Sequence, residues 1–219
     1  MAMRVVKSRD LSHPLESGMP VYPGDPEVGT RSATTIAQDG YNVLHLSMGS
    51  QSGTHIDAPF HFLEHGQTID AFPPEVFFGE ATIADVSGLG PNGVIEADTI
   101  PPPDSLGGIL LIRTDWSERW GSHEYFSHPY LSAAAAQRIV DMGFTTVAID
   151  ALSVDQTDGS AGDFGAHEVI LGANIPIAEN LRGLSGIDWV KPWVSLLPLK
   201  ISHGDGAPIR AVAYQLEHS

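Results

Sequence analysis

The sequence contains no cysteine. That excludes disulfides, thiolate metal ligands and thiol nucleophiles, so any nucleophile is a hydroxyl, a carboxylate or an activated water. Basic residues are also scarce: 11 Lys and Arg stand against 27 Asp and Glu, for a net charge of -16. Such a chain has no positive footprint with which to displace counterions from nucleic acid, and an anionic membrane surface would repel it. No run approaches the roughly 18 consecutive apolar residues that a membrane span needs. The basic start, Met1 to Asp10, is followed by no apolar stretch of the secretory kind, so cytoplasmic residence is the expectation. Charged residues make up only 17% of the chain, too few for a solvated acidic tail. Neither G-x-G-x-x-G nor G-x-x-x-x-G-K occurs, and Ser12, Ser50, Ser52 and Ser153 have no G-x-S-x-G setting. Nucleotide folds and serine hydrolases therefore lack support.

What is present fits one domain spanning 1–219, long enough for a sizeable core. Gly 23 and Pro 16 make the chain loop-rich rather than a helical bundle. Short apolar, β-branched runs over 42–48, 81–86, 109–113 and 145–149 read as strands. The alanine-rich segment 131–142 reads as a helix, with Gly143 suited to the left-handed position behind it. Near the end, 194–201 and 208–216 flank the glycine-rich run 202–206, a pattern that predicts a C-terminal β-hairpin. The fold class is α/β with a mixed sheet.

The segment Gln51-Ser52-Gly53-Thr54-His55-Ile56-Asp57-Ala58-Pro59-Phe60-His61 carries the chemistry. Two imidazoles and a carboxylate within seven residues supply the nitrogen and oxygen donors that a borderline divalent cation takes. Gly53 permits close backbone approach and Pro59 stiffens the following turn. A turn whose His and Asp satisfy only each other is the plainer alternative. The apolar surroundings and the third polar group favour the metal. His167 at a short helix start and Glu179 after Pro176-Ile177-Ala178 form a second cluster, with Glu168 a rival carboxylate. Of the other histidines, His13 and His45 read as structural, and His65, His123, His128 and His203 as solvated.

The segment 51–61 resembles the H-x-G-T-H-x-D-x-P-x-H signature of the metal-dependent cyclase family, which includes bacterial kynurenine formamidase and isatin hydrolase. Asp10-Leu11-Ser12-His13-Pro14-Leu15 and Met19-Pro20-Val21-Tyr22-Pro23-Gly24-Asp25 resemble the family's N-terminal strand and loop. The resemblance implies a swivelling β/β/α domain in a homo-oligomer, dimer or tetramer, with sites near a subunit interface. It implies a metal set of Gln51, His55, Asp57, His167 and Glu179 holding Mn or Zn, and His61 as general acid/base. Tyr22 falls where the formamidases carry a substrate-stacking tryptophan. The implied activity is hydrolysis of a small amide, lactam or lactone. A polyketide-type cyclase or dehydratase and a non-catalytic metal-binding protein are the alternatives, the last distinguished by a metal saturated with protein ligands.

Gln51 stands where the signature has a histidine, and an amide oxygen is a harder, weaker donor than imidazole. The expected outcome is at most one tightly held ion per chain. Gln51→His should raise the zinc stoichiometry towards two, read by elemental analysis. Two full equivalents in the unsubstituted protein would contradict this.

Overall fold

The computed structural model describes residues 3–105, 108–157 and 164–218. Thirteen strands are found among them: β1 (Met3–Asp10), β2 (Gly29–Thr34), β3 (Val43–Ser47), β4 (His55–Asp57), β5 (Phe78–Asp85), β6 (Val94–Ile95), β7 (Ile109–Arg113), β8 (Tyr130–Leu131), β9 (Thr146–Ile149), β10 (Ile177–Glu179), β11 (Trp193–Ser195), β12 (Gly206–Pro208) and β13 (Val212–His218). The α-helices are α1 (Ile36–Asp39), α2 (Ala133–Asp141) and α3 (Gly165–Gly172).

A nine-stranded mixed sheet in the order β1-β13-β11-β5-β7-β9-β10-β4-β12 organises the molecule. Its centre, β5-β7-β9-β10, is parallel, and antiparallel strands extend it on both sides. The central strands are covered on both faces, which is why they read as unbroken apolar runs rather than as alternating ones. Successive side chains take opposite sides. Leu110, Ile112, Val147, Ile149 and Ile177 join the core that contains Ala135, Ala136 and Ile139 of α2. Ile109, Leu111, Ala148 and Ala178 join a second core with Ile56, Val194 and Ala213. The sheet also rolls on itself. Leu11, just past β1, donates its N–H to the Ala211 carbonyl at 2.8 Å and accepts from the Arg182 N–H at 2.9 Å, so the first strand reaches the far end of the ladder.

The helix expected over 131–142 is α2. Ser132 caps it, its hydroxyl accepting from the Ala135 N–H at 3.1 Å, and Gly143 follows at φ +74°. The C-terminal antiparallel pairing is present, with Trp193 opposite Tyr214 and Ser195 opposite Val212. The connection differs from the expected tight turn. It is longer, and residues 206–208 leave it as β12 to pair with β4 at the opposite edge of the sheet. No helix of the described residues is long and apolar enough to cross a membrane.

Two features of this frame position the loops above the parallel strands. Asp150, fully buried after β9, accepts from the Thr114 N–H (2.6 Å), the Thr114 hydroxyl (2.7 Å) and the Asp115 N–H (3.0 Å), tying the end of β9 to the residues after β7. Burial nevertheless pushes its carboxyl up to about 6. Glu179 closes β10, and β4 runs back beside it with His55 opposite Glu179 and Asp57 opposite Ile177. The C-terminal ends of the parallel strands thus open on one crevice, the usual ligand position in α/β sheets.

Candidate active site

His55 and Asp57 are two residues apart on one strand, so their side chains leave the same face. The β4–β10 register then sets Glu179 beside them. From across the crevice, α3 contributes His167. The result is two carboxylates between two imidazoles. His55 Nε2 lies 3.3 Å from Asp57 Oδ1 and 3.6 Å from Glu179 Oε2, and His167 Nε2 lies 3.5 Å from Asp57 Oδ2 and 3.4 Å from Glu179 Oε1. All four side chains are at most 6% exposed.

The outer atoms are fixed. His55 Nδ1–H donates to the Gly53 carbonyl at 2.8 Å, and His167 Nδ1–H to Asp155 Oδ2 at 2.6 Å. With Nδ1 committed as donor, each neutral ring turns the lone pair of Nε2 inwards. Asp155 does more, accepting the N–H groups of Ala166 (2.8 Å) and His167 (3.0 Å) at the start of α3. Glu179 Oε1 accepts the Val154 N–H at 2.8 Å. Among the described residues, both oxygens of Asp57 are buried with no hydrogen-bond partner. Such a group is costly unless something positive completes it. In the protein alone, protons serve. Although burial works against the charged ring, the Asp57 and Glu179 carboxylates lift His55 to about 9. Burial also opposes charging His167, and its hydrogen bond to Asp155 together with the facing carboxylates of Asp57 and Glu179 raises it well above the ordinary value. Two imidazolium protons bring the same two positive charges as one divalent cation. His55, Asp57 and Glu179 each offer a donor atom within 4.8 Å of the others, a group that could hold a metal ion, and His167 Nε2 faces the same two carboxylates.

His61 stands apart. Its ring is 31% exposed, on the rim of the cavity, with Nδ1 3.6 Å from Asp205 Oδ2. Burial lowers its basicity and Asp205 restores it, leaving His61 raised and Asp205 down at about 2, chiefly through that same imidazole. Gln51 also lines the cavity, but its Nε2 donates to Asp205 Oδ2 at 2.9 Å while its buried Oε1 has no partner. Tyr22 forms part of the wall with Pro20, Val21, Phe62 and Phe164. Phe62 stacks on His167, ring centres 4.5 Å apart. The cavity holds about 170 Å³. An apolar cavity of roughly 150 Å³ accepts a benzene, so one aromatic ring is the scale of ligand that fits.

Sequence reasoning missed several residues here. Asp155, Asp205, Asn180 and Tyr125 act through partners 12 to 155 residues away, and nothing local marks them. The rival Glu168 is exposed, on the face of α3 turned from the cavity residue His167. His13 is buried and stacks on Trp120 at 3.8 Å, whereas His45 is exposed on β3. His128, expected in solvent, is 1% exposed, with its ring nitrogens on the Pro129 carbonyl and the Thr157 hydroxyl.

A family model described as a putative cyclase matches residues 9–156. The chain belongs to the cyclase family. It is 33% identical over 210 residues to the kynurenine formamidase of Bacillus cereus, covering 93% of this chain and 95% of that protein. It is 32% identical over 214 residues to the kynurenine formamidase of Paracidovorax citrulli, covering 93% and 94%. Among solved structures, one described as a potential metal-dependent hydrolase with cyclase activity superposes with a TM-score of 0.79 at 28% identity over the whole of both chains. Isatin hydrolase A from Labrenzia aggregata, bound to benzyl benzoate, shares the fold at a TM-score of 0.85 and 21% identity, over 97% of this chain and 93% of that one.

In this member of the cyclase family the orienting carboxylate is testable. Asp155→Asn places an amide where three N–H groups need acceptors, and His167 loses the anion that fixes its ring. Metal affinity should fall about 10- to 100-fold, measured by competition with a chromophoric chelator. Unchanged affinity would show that the Asp155 contact does not matter to the site.

Proposed function

We propose that the protein hydrolyses a C–N bond in a small formamide- or lactam-type substrate, with one Mn or Zn ion held by His55, Asp57, His167 and Glu179. The observation that carries this reading is the buried, unpartnered carboxylate of Asp57 between two inward-facing Nε2 atoms. The similarity to kynurenine formamidases supports an N-formyl arylamine as substrate.

A divalent ion at this position supplies Lewis acidity to the substrate carbonyl and brings the pKa of a water from 15.7 towards about 7. The protein supplies the rest. His61, on the rim with its Nδ1 towards Asp205, takes a proton from the water that adds to the carbonyl carbon. As the C–N bond breaks, the same imidazole returns that proton to the departing nitrogen. The products are a carboxylic acid and an amine. Tyr22, Phe62 and Phe164 flank the substrate ring and keep bulk water from it. Gln51, occupied by Asp205, is at most a weak ligand.

Ring closure of a linear acid is a second reading, favoured by the cyclase activity in the description of the relative at 28% identity. It uses the same residues in the reverse sense: a hydroxyl or amine of the substrate bonds to the carboxyl carbon, the C–OH bond breaks, and one water leaves. The reading further includes a single domain over 1–219, cytoplasmic residence and a homo-oligomer. The β2–β3 hairpin supports the last, since Val43, Leu44 and Leu46, with Tyr41 in the connection just before them, lie exposed on a two-stranded ribbon that is marginal by itself in water.

Activity should vanish on chelation and return with Mn or Zn. His61→Ala should lower kcat on the order of 10² to 10⁴-fold with metal content near that of the parent. Full turnover in metal-free protein, verified by elemental analysis, would overturn the metal-dependent mechanism. Loss of metal in His61→Ala would make His61 a ligand.

A further inference from the structure

Asn180 follows Glu179 and lies in the left-handed region at φ +57°, a conformation that Asn tolerates better than most residues. It is 3% exposed, yet it lines the same cavity as His55, His61, His167 and Glu179. Its hydrogen-bonding groups are assigned almost completely. The backbone N–H donates to the Ala151 carbonyl at 2.9 Å, and the backbone carbonyl accepts from the Thr54 hydroxyl at 2.7 Å. The side-chain Oδ1 accepts from the Tyr125 hydroxyl at 2.7 Å. Tyr125 is fully buried, and among the described residues this is the one acceptor its phenolic proton reaches. The phenol thereby fixes the amide: a flipped Asn180 would face Tyr125 with an N–H2 group and leave that proton without an acceptor. Among the described residues, what remains without a protein partner is Nδ2, with its two N–H bonds, in a residue that borders a cavity about the size of one aromatic ring.

We propose that Asn180 is a catalytic residue, with an Nδ2–H that donates to the carbonyl oxygen of the scissile amide. The inference rests on the hydrolytic reading above. When the oxygen of water bonds to the carbonyl carbon, the π electron pair moves to the carbonyl oxygen, and the Asn180 N–H bears on the charge collecting there. When the pair returns, the C–N bond breaks and the nitrogen leaves with the proton carried by His61. Tyr125 is a positioning residue. It does not touch the substrate, and it keeps the amide from turning its oxygen towards a developing anion. The preorganisation costs little at the moment of reaction because the donor is locked before substrate arrives.

The left-handed backbone makes a clean test available. Asn180→Gly removes the donor while glycine keeps the same φ without strain. Asn180→Asp keeps the acceptor for Tyr125 and replaces the donor with a second oxygen. With an N-formyl arylamine as probe, both should lower kcat on the order of 10² to 10³-fold with KM within about threefold of the parent. Tyr125→Phe, which frees the amide to flip, should give a smaller loss, about 10-fold. Metal content and melting temperature are read on the same preparations. A kcat for Asn180→Gly within about threefold of the parent, while His61→Ala is inactive, would overturn the proposal and leave the hydrolytic reading intact. Loss of metal from Asn180→Gly would also overturn it, by making Asn180 a support for Glu179. No turnover of the N-formyl arylamine by the metal-loaded parent protein would instead remove the hydrolytic reading itself.

Discussion

Two carboxylates, Asp57 and Glu179, are buried side by side with their oxygens facing a pair of imidazoles, and the surrounding structure is arranged to make that tolerable. Isolated buried anions cost far more than a domain's net stability of roughly 5–15 kcal/mol. Compensation comes from specific places. Val154 donates an N–H to Glu179, and the two histidines present nitrogen to both acids. The sheet sets the distances: the antiparallel step from β10 to β4 puts Glu179 opposite His55, and β12 on the outer side of β4 brings Asp205 towards His61. The crowded strand β12 leaves little freedom there. A Cβ on Gly206 would stand 2.7 Å from the side chain of Gln51, so its lack of a side chain is what lets Gln51 reach Asp205.

The site divides into a dry half and a wet half. His55, Asp57, His167 and Glu179 are buried, with Phe62 and Phe164 packed on His167, and charge interactions there are strong. His61 sits at the border, partly exposed, where an imidazole can exchange protons with solvent between turnovers. A ligand and an acid/base need different environments, and under the proposed function residues of the single segment 51–61 meet both needs. Residues 55–57 are extended, and the short 3₁₀ turn Pro59–His61 then lifts His61 out of the sheet.

How much of this was legible follows from how local each feature is. The longer parallel strands β5, β7 and β9 are marked by apolar, β-branched runs, because burial on both faces leaves few polar positions. The ligand types in 51–61 were visible because the chain supplies them contiguously. The strands β4, β10 and β12 were not visible: three residues cannot display a period, and their partners define them. The same reason hid the carboxylates of Asp155 and Asp205. Asp155 lies in an unremarkable loop, and its role exists because α3 begins beside it. Asp205 sits in the glycine-rich run that reads as a hairpin turn, and only the pairing of β12 with β4 turns it towards His61. His128 was misread because its polar neighbours in sequence suggested solvent, whereas the Thr157 hydroxyl, 29 residues on, meets it in the interior. Gln51 was legible as a departure from the signature, but its Asp205 contact was not.

The central claim is that a single divalent cation replaces the two imidazolium protons that otherwise compensate Asp57 and Glu179. The most direct measurement is a crystal structure of the protein grown with Mn²⁺, with diffraction recorded for the anomalous signal of manganese. One anomalous peak per chain, bounded by His55 Nε2, His167 Nε2, Asp57 and Glu179, is the predicted result. A folded, diffracting protein with no anomalous density between those four side chains would contradict the account.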